Sequence, residues 1–188
     1  MATVSPKRAT IDDLLRTEGK AELIGGRIVQ LRPTGRKPNR VAGRIFRSLD
    51  DYAESTGQGE AYTESMGFAV PKLSSGRESF SPDVSYYVGP FLNDAMKFIK
   101  SPPTLAVEVR SENDYGPAAE RALAEKRVDY FEAGTRVVWD IDTKAERVLV
   151  YPASNPGRPT TFVSGEIAEA ESAAPGWRIG IDEIFKKL

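Results

Sequence analysis

The sequence predicts a domain of the α/β (α+β) class, and three observations carry that prediction. Short runs rich in branched residues recur along the chain at Ser81–Val88, Leu105–Ser111, Arg136–Ile141 and Arg147–Tyr151. Two longer stretches, Asn39 to Glu54 and Pro117 to Gly134, carry helical spacing with start and stop signals instead. Ahead of both, a capping residue and a Gly25-Gly26 pair mark an N-terminal helix and a β-hairpin.

Composition narrows the chemistry. The chain has 188 residues, enough for one domain spanning 1–188 with its own core. Residues 1–9 read as a flexible tail. Apolar content of 40% and charged content of 28% are those of a globular protein, and a net charge of -1 gives no global pull towards nucleic acid or membrane. With no cysteine, disulfides, thiolate zinc sites and cysteine nucleophiles are excluded. With no histidine, so are the Ser-His-Asp triad and histidine-held metals. Any metal must then be held by oxygen, which selects Mg²⁺ or Mn²⁺. No stretch is apolar enough to cross a bilayer. A cytoplasmic protein without a membrane partner is expected.

The elements follow in order. Thr10 with Asp13 forms a capping box for a helix reaching Glu18. Ala21–Ile24 and Arg27–Leu31 flank the two glycines as hairpin strands. Asn39 is placed to cap the next helix, in which Val41, Ile45, Leu49 and Tyr52 form a core stripe and Arg40, Arg44 and Arg47 a separate basic one. From Arg32 to Arg47 there are six cations and no acid. Glu60–Val70 reads as one strand and Pro71–Ser79 as a loop. Residues 89–103 form a connection, with a helical turn expected near Ala95. Pro117 suits the first turn of the following helix and Gly134 its end. Residues 152–159 are a Pro/Gly loop, and a last helical turn is expected at Asp182–Lys186.

The chemistry concentrates around Leu105–Ser111. Strand alternation places Leu105, Val107 and Val109 on one face and Ala106, Glu108 and Arg110 on the other. A carboxylate within such a strand is costly to bury unless a metal, a cation or a proton neutralises it. A second strand-like run opens with Asp83. On the following helix, Ala119, Ala122, Leu123 and Tyr130 define a packing arc whose centre is Lys126. A lysine there must meet a carboxylate or extend out to water. Two acids and a lysine suit metal-assisted phosphodiester hydrolysis; a buried structural ion pair is the plain alternative.

Several motifs together resemble a known family. Ser81-Pro82-Asp83-Val84, Val107-Glu108-Val109-Arg110-Ser111, Glu125 through Gly134, and Val138-Trp139-Asp140-Ile141-Asp142 resemble the Uma-type family of bacterial restriction endonucleases. That family is a branch of the PD-(D/E)XK nuclease superfamily. The hairpin Ala21–Leu31 and the ending Pro175-Gly176-Trp177 with Ile181–Phe185 are similar to the family's ends. The resemblance implies a restriction-endonuclease-like mixed β-sheet flanked by helices, with Asp83 and Glu108 as ligands of Mg²⁺ or Mn²⁺. The Val109 carbonyl is a further candidate ligand. Lys126 matches a helix lysine thought to replace the superfamily's strand lysine, whose position Arg110 occupies. Arg110 can stabilise a phosphate but cannot act as a base, and a strand-face ion pair is its alternative role. Relatives often carry a histidine near Asn39, and this chain has none. Glu22 matches a hairpin acid of the family, either a third carboxylate or, as expected here, a solvated one.

The expected function is Mg²⁺-dependent hydrolysis of DNA. Arg40, Arg44 and Arg47 are the candidate phosphate grip beside the acidic cleft, a solvated helix face with Arg47 paired to Asp51 being the plainer alternative, and a homodimer would suit a two-strand cut. The alternative is a degenerate nuclease fold kept for nucleic-acid or protein binding.

Overall fold

The computed structural model describes residues 8–91 and 94–187. The tail expected over 1–9 lies, as far as residue 7, outside the described residues. Helix α1 (Ile11–Leu15) opens with the expected reciprocal cap: the Asp13 N–H donates to the Thr10 hydroxyl at 3.2 Å, and the Thr10 N–H donates to the Asp13 carboxylate at 2.9 Å. It stops short of Glu18, because the chain bends through Gly19 at φ +79° into the hairpin. There β1 (Ala21–Ile24) pairs with β2 (Arg27–Gln30) across Gly25 and Gly26, whose φ of +60° and +73° an L side chain rarely adopts.

Helix α2 (Arg36–Thr56) begins three residues before the expected cap at Asn39. Pro38 falls in its first turn, where the missing N–H costs nothing, and the Asn39 N–H closes the turn on the Gly35 carbonyl at 3.2 Å. Val41, Ile45, Leu49 and Ala53 are buried along one stripe. Each of the three larger side chains contributes about 1.5–3 kcal/mol by leaving water.

The run Glu60–Val70 is not one strand. It divides at a turn before Gly67 into β3 (Glu60–Thr63) and β4 (Phe68–Ala69). β4 leaves the main sheet to pair with β5 (Ser79–Phe80), so part of the expected loop becomes a small second ribbon. The chain then enters β6 (Val84–Tyr87). Near Ala95 there is a turn closed from Lys97 N–H to the Asp94 carbonyl at 3.2 Å rather than a helix. β7 (Leu105–Val109) is followed by α3 (Pro117–Ala133), which starts with Pro117 and ends at Gly134 in the left-handed region, as the sequence predicts. Next come β8 (Val137–Asp142), β9 (Arg147–Pro152), β10 (Thr160–Phe162), β11 (Ile167–Ala170), β12 (Ala174–Gly180) and α4 (Ile181–Phe185).

The main sheet has the order β10-β9-β8-β7-β6-β3. Only β7 and β8 are parallel, because α3 carries the chain back across the sheet between them. The sheet is therefore mixed and flanked by helices. Strand alternation on β7 holds. Leu105, Val107 and Val109 pack in one core with Val41, Ile45 and Leu49 of α2, while Ala106 faces a second core with Tyr130 of α3, Phe68 and Phe80. On the α2 side Trp139 stacks on Trp177 of β12, ring centroids 4.9 Å apart. In the parallel register Glu108 stands beside Asp140, so the α3 face carries two adjacent acids at the ends of its central strands.

Gly57 and Gly59, between α2 and β3, offer a test of this path. Both have positive φ, +64° and +66°. A Cβ on Gly57 meets open space, whereas one on Gly59 would lie 2.5 Å from the Tyr87 carbonyl oxygen. Gly57→Ala is expected to cost only the left-handed backbone term, about 1–2 kcal/mol. Gly59→Ala should cost clearly more by urea denaturation; equal costs would show that the β3–β6 edge gives way easily.

Candidate functional site

Asp83 stands on the residue entering β6. Its N–H donates to the Val107 carbonyl at 3.1 Å, and its Oδ2 accepts the Val109 N–H at 2.8 Å. These two bonds fix the carboxylate against the end of β7. Its Oδ1 accepts the Lys20 ammonium at 2.6 Å. One strand away, Glu108 projects from the α3 face of β7. Its Oε1 accepts the Tyr130 hydroxyl at 2.6 Å and lies 2.8 Å from the Lys126 Nζ. Asp83, Glu108 and Val109 line the same cleft, about 520 Å³, together with Lys20, Glu22 and Lys126. The expected trio of Asp83, Glu108 and Lys126 thus meets at one opening.

Glu22 is the main correction to the sequence reading. It is not solvated: the residue is 2% exposed. Its Oε1 accepts the Ser81 N–H at 3.0 Å and lies 3.1 Å from the Lys126 Nζ, while its Oε2 takes the Arg77 guanidinium. Arg77 also donates from Nε to Asp129 at 2.8 Å and lies over the Phe80 ring. A one-sided hairpin gave no sign of this, since the cover comes from the distant 71–80 segment.

Electrostatics follow from that packing. Burial pulls the Lys126 ammonium down, but Glu108 and Glu22 more than offset it and leave its pKa raised. Burial pushes the Glu22 carboxyl up, and Lys126 and Arg77 overcome it, holding it below its usual 4.5. At Glu108 burial wins: Lys126 opposes it, Asp83 adds to it, and the carboxyl is raised. Burial and then the Glu108 charge raise the Tyr130 hydroxyl well above 10, so it remains a donor.

Three other expectations change. Arg110, on the Glu108 face as alternation requires, turns its guanidinium away to Asp140, at 2.7 and 2.8 Å, and to Glu120. Arg127 donates to the same Asp140 at 3.1 Å. Arg110 thus fills the strand-face ion-pair role. The arginine stripe does not border the acidic cleft. Arg40, Arg44 and Arg47 line a separate groove of about 380 Å³ with Glu183 and Lys186. Arg44 is engaged there, donating to the Ile184 and Lys186 carbonyls at 2.9 and 2.8 Å. What α2 turns towards Asp83 is Asn39, Ala42, Gly43 and Phe46. Finally, Ala119 and Ala122 are cleft wall rather than core, and their small side chains leave the space in front of Lys126 open.

Sequence reasoning missed Lys20, Arg77, Asp129 and the Tyr130 hydroxyl. For Lys20 a signal existed, since a residue two before Glu22 on a strand shares its face. Arg77 sits in a Ser/Gly-rich segment without periodicity, and nothing local marks it.

The donor set suits a hard cation. Among the described residues no three acidic side chains are grouped to hold a metal on their own. Asp83 and Glu108 would instead supply two carboxylates, with the Val109 carbonyl beside them, and each carboxylate already holds an ammonium. Mg²⁺ commonly binds through one or two carboxylates and keeps several waters, so these residues fit it.

Among the described residues no helix is long and apolar enough to cross a membrane. No curated protein sequence matches the chain. A solved structure described as a putative nuclease belonging to DUF820, from Anabaena variabilis ATCC 29413, shares the fold with a TM-score of 0.73. The match covers 94% of this chain and 97% of that one at 18% identity. A family model described as "Putative restriction endonuclease" matches residues 9–182, and the chain belongs to that family, Uma2.

Proposed function

We propose that the protein is a divalent-metal-dependent endonuclease that hydrolyses DNA phosphodiester bonds. The observation carrying this reading is the convergence of Asp83 and Glu108 on one cleft beside a half-buried lysine. The family's description adds the substrate class. A bound Mg²⁺ or Mn²⁺ would neutralise the scissile phosphate and acidify an attacking water. Asp83 and Glu108 would hold it, the first oriented by the Val109 N–H and the second by the Tyr130 hydroxyl. Lys126 remains charged, so it serves as a fixed cation for the phosphate and not as a base. Glu22, clamped by Arg77 and the Ser81 N–H, keeps that cation in place before substrate arrives.

The direct test is plasmid cleavage. Wild-type protein should nick or cut with Mg²⁺ or Mn²⁺ and not with EDTA, and Asp83→Ala should be inactive. Millimolar Mn²⁺ should raise the wild-type Tm through binding linkage, and Glu108→Gln should abolish the shift. A wild type that binds plasmid but leaves it intact with either metal would favour the alternative, a nuclease fold kept for binding.

Lys126→Met should slow cleavage by about 100-fold or more. It should also carry a pH signature. Without the ammonium, the Glu22 and Glu108 carboxyls both rise. A carboxyl raised in the folded state loses stability as pH climbs from its unfolded value of 4.5 through its folded one. The stability deficit against wild type should therefore be larger near pH 7 than near pH 4.5, by urea denaturation at each pH. A deficit independent of pH would mean that Lys126 does not neutralise these acids.

A further inference from the structure

The Lys20–Asp83 contact has no role in the reading above, yet it occupies a proposed metal ligand. Asp83 Oδ2 is tied to the backbone through the Val109 N–H, which leaves Oδ1 as the oxygen free of the backbone. Lys20 holds that oxygen at 2.6 Å. The two lysines of the cleft are held differently. Lys126 lies against two carboxylates, at 2.8 and 3.1 Å, whereas Asp83 is the single carboxylate partner of Lys20 among the described residues. The Lys20 backbone is fixed, since its carbonyl accepts the Leu31 N–H at 2.9 Å. Its ammonium sits on a flexible four-carbon stem with 19% of the side chain exposed. It can leave Asp83 without moving the hairpin.

Charge balance says where it would go. Within the ion-paired cluster Glu22, Asp83, Glu108 and Asp129 exceed Lys20, Arg77 and Lys126 by one formal negative charge; of the other charged residues lining the cleft, Arg110 is paired with Asp140 and Glu120, and Arg32 and Asp114 cancel. A divalent cation reverses that to one excess positive charge. One phosphodiester group neutralises it.

Resting on the metal-dependent reading, we propose that Lys20 is a built-in competitor for the divalent cation, holding Asp83 in the metal-free protein and passing to a substrate phosphate when the cation takes Asp83. Metal and phosphate then favour each other's binding, because each makes the displaced lysine less costly for the other.

The test is calorimetric titration of the full-length protein with Mn²⁺ alone. A charge-assisted hydrogen bond must be broken in wild type and is absent in Lys20→Met, so the variant should bind Mn²⁺ about tenfold more tightly. Lys20→Arg should stay near wild type, and Lys20→Gln carries the test if the Met variant does not fold. In cleavage assays at saturating Mn²⁺, the Met variant should show a raised KM with kcat much less affected, a split that a purely structural lysine would not produce. A folded Lys20→Met or Lys20→Gln that binds Mn²⁺ no more tightly than wild type overturns the inference. If neither wild type nor the folded Lys20 variants bind Mn²⁺, the metal-dependent reading falls and this inference with it.

Discussion

The interaction on which the site depends is the Lys126 ammonium set between Glu108 and Glu22. It joins three parts of the chain that no short-range signal connects: the hairpin, the central strand β7 and the helix α3. Burying each charge alone would cost several kcal/mol, so none of the three could sit there without the others. Removing one member of such a buried set is typically worth about 3–5 kcal/mol, because it leaves the rest uncompensated. The hairpin is small and packs its own few apolar residues around Leu14 and Leu23. Its docking is shared between the Glu22 clamp, with Arg77 and the Ser81 N–H, and backbone bonds to the 76–79 segment: the Gly25 N–H donates to the Gly76 carbonyl and the Glu78 N–H to the Leu23 carbonyl, both at 2.8 Å.

The same constraint explains the second ionic cluster. Glu108 and Asp140 stand side by side on parallel strands, and two acids in register, one half-buried and one buried, would repel each other. The protein separates their compensation. Glu108 takes Lys126 and Tyr130, whereas Asp140 takes Arg110 and Arg127. Arg127 is the residue next to Lys126, so one turn of α3 serves both acids. This requirement also commits Arg110: the residue lines the cleft, but its guanidinium is used to make Asp140 tolerable, and its bidentate geometry suits that task better than a lysine would.

Legibility of the site in the sequence follows from how each residue offends its local pattern. Glu108 interrupts an apolar strand and Lys126 interrupts a packing arc, so both were visible as charges needing partners. The alternation of β7 and the end signals of α3 are local, and both are found as expected. Glu22 offended nothing: a four-residue hairpin strand reads equally well with that side chain wet or covered. Its burial depends on the segment carrying Arg77 folding over it, a contact across 55 residues. The break of Glu60–Val70 had a local mark in Gly67, just past the turn, but the pairing that draws β4 off to β5 had none. For α2 the periodic stripe was legible, but the use of its basic face was not. Periodicity places Arg40, Arg44 and Arg47 together without saying that Arg44 will satisfy the last carbonyls of α4.

The two faces of the main sheet then divide the work. Towards α2, the core of Val107, Trp139, Ile45 and Leu49 is apolar and close-packed, and it fixes where β6 and β7 lie relative to each other. Towards α3, apolar contacts persist under Tyr130, Phe80 and Ala106 but give way to charge at Glu108 and beyond. Asp83 and Glu108 belong to neighbouring strands whose register is set by Val84 against Val107. The spacing of the two acids is therefore dictated from the apolar side, where a one-residue slip would expose every inward residue of β6. Their cationic partners come from the other side, Lys20 to Asp83 and Lys126 to Glu108. A cleft built this way separates the apolar packing that spaces the two carboxylates from the ammonium groups that balance their charge.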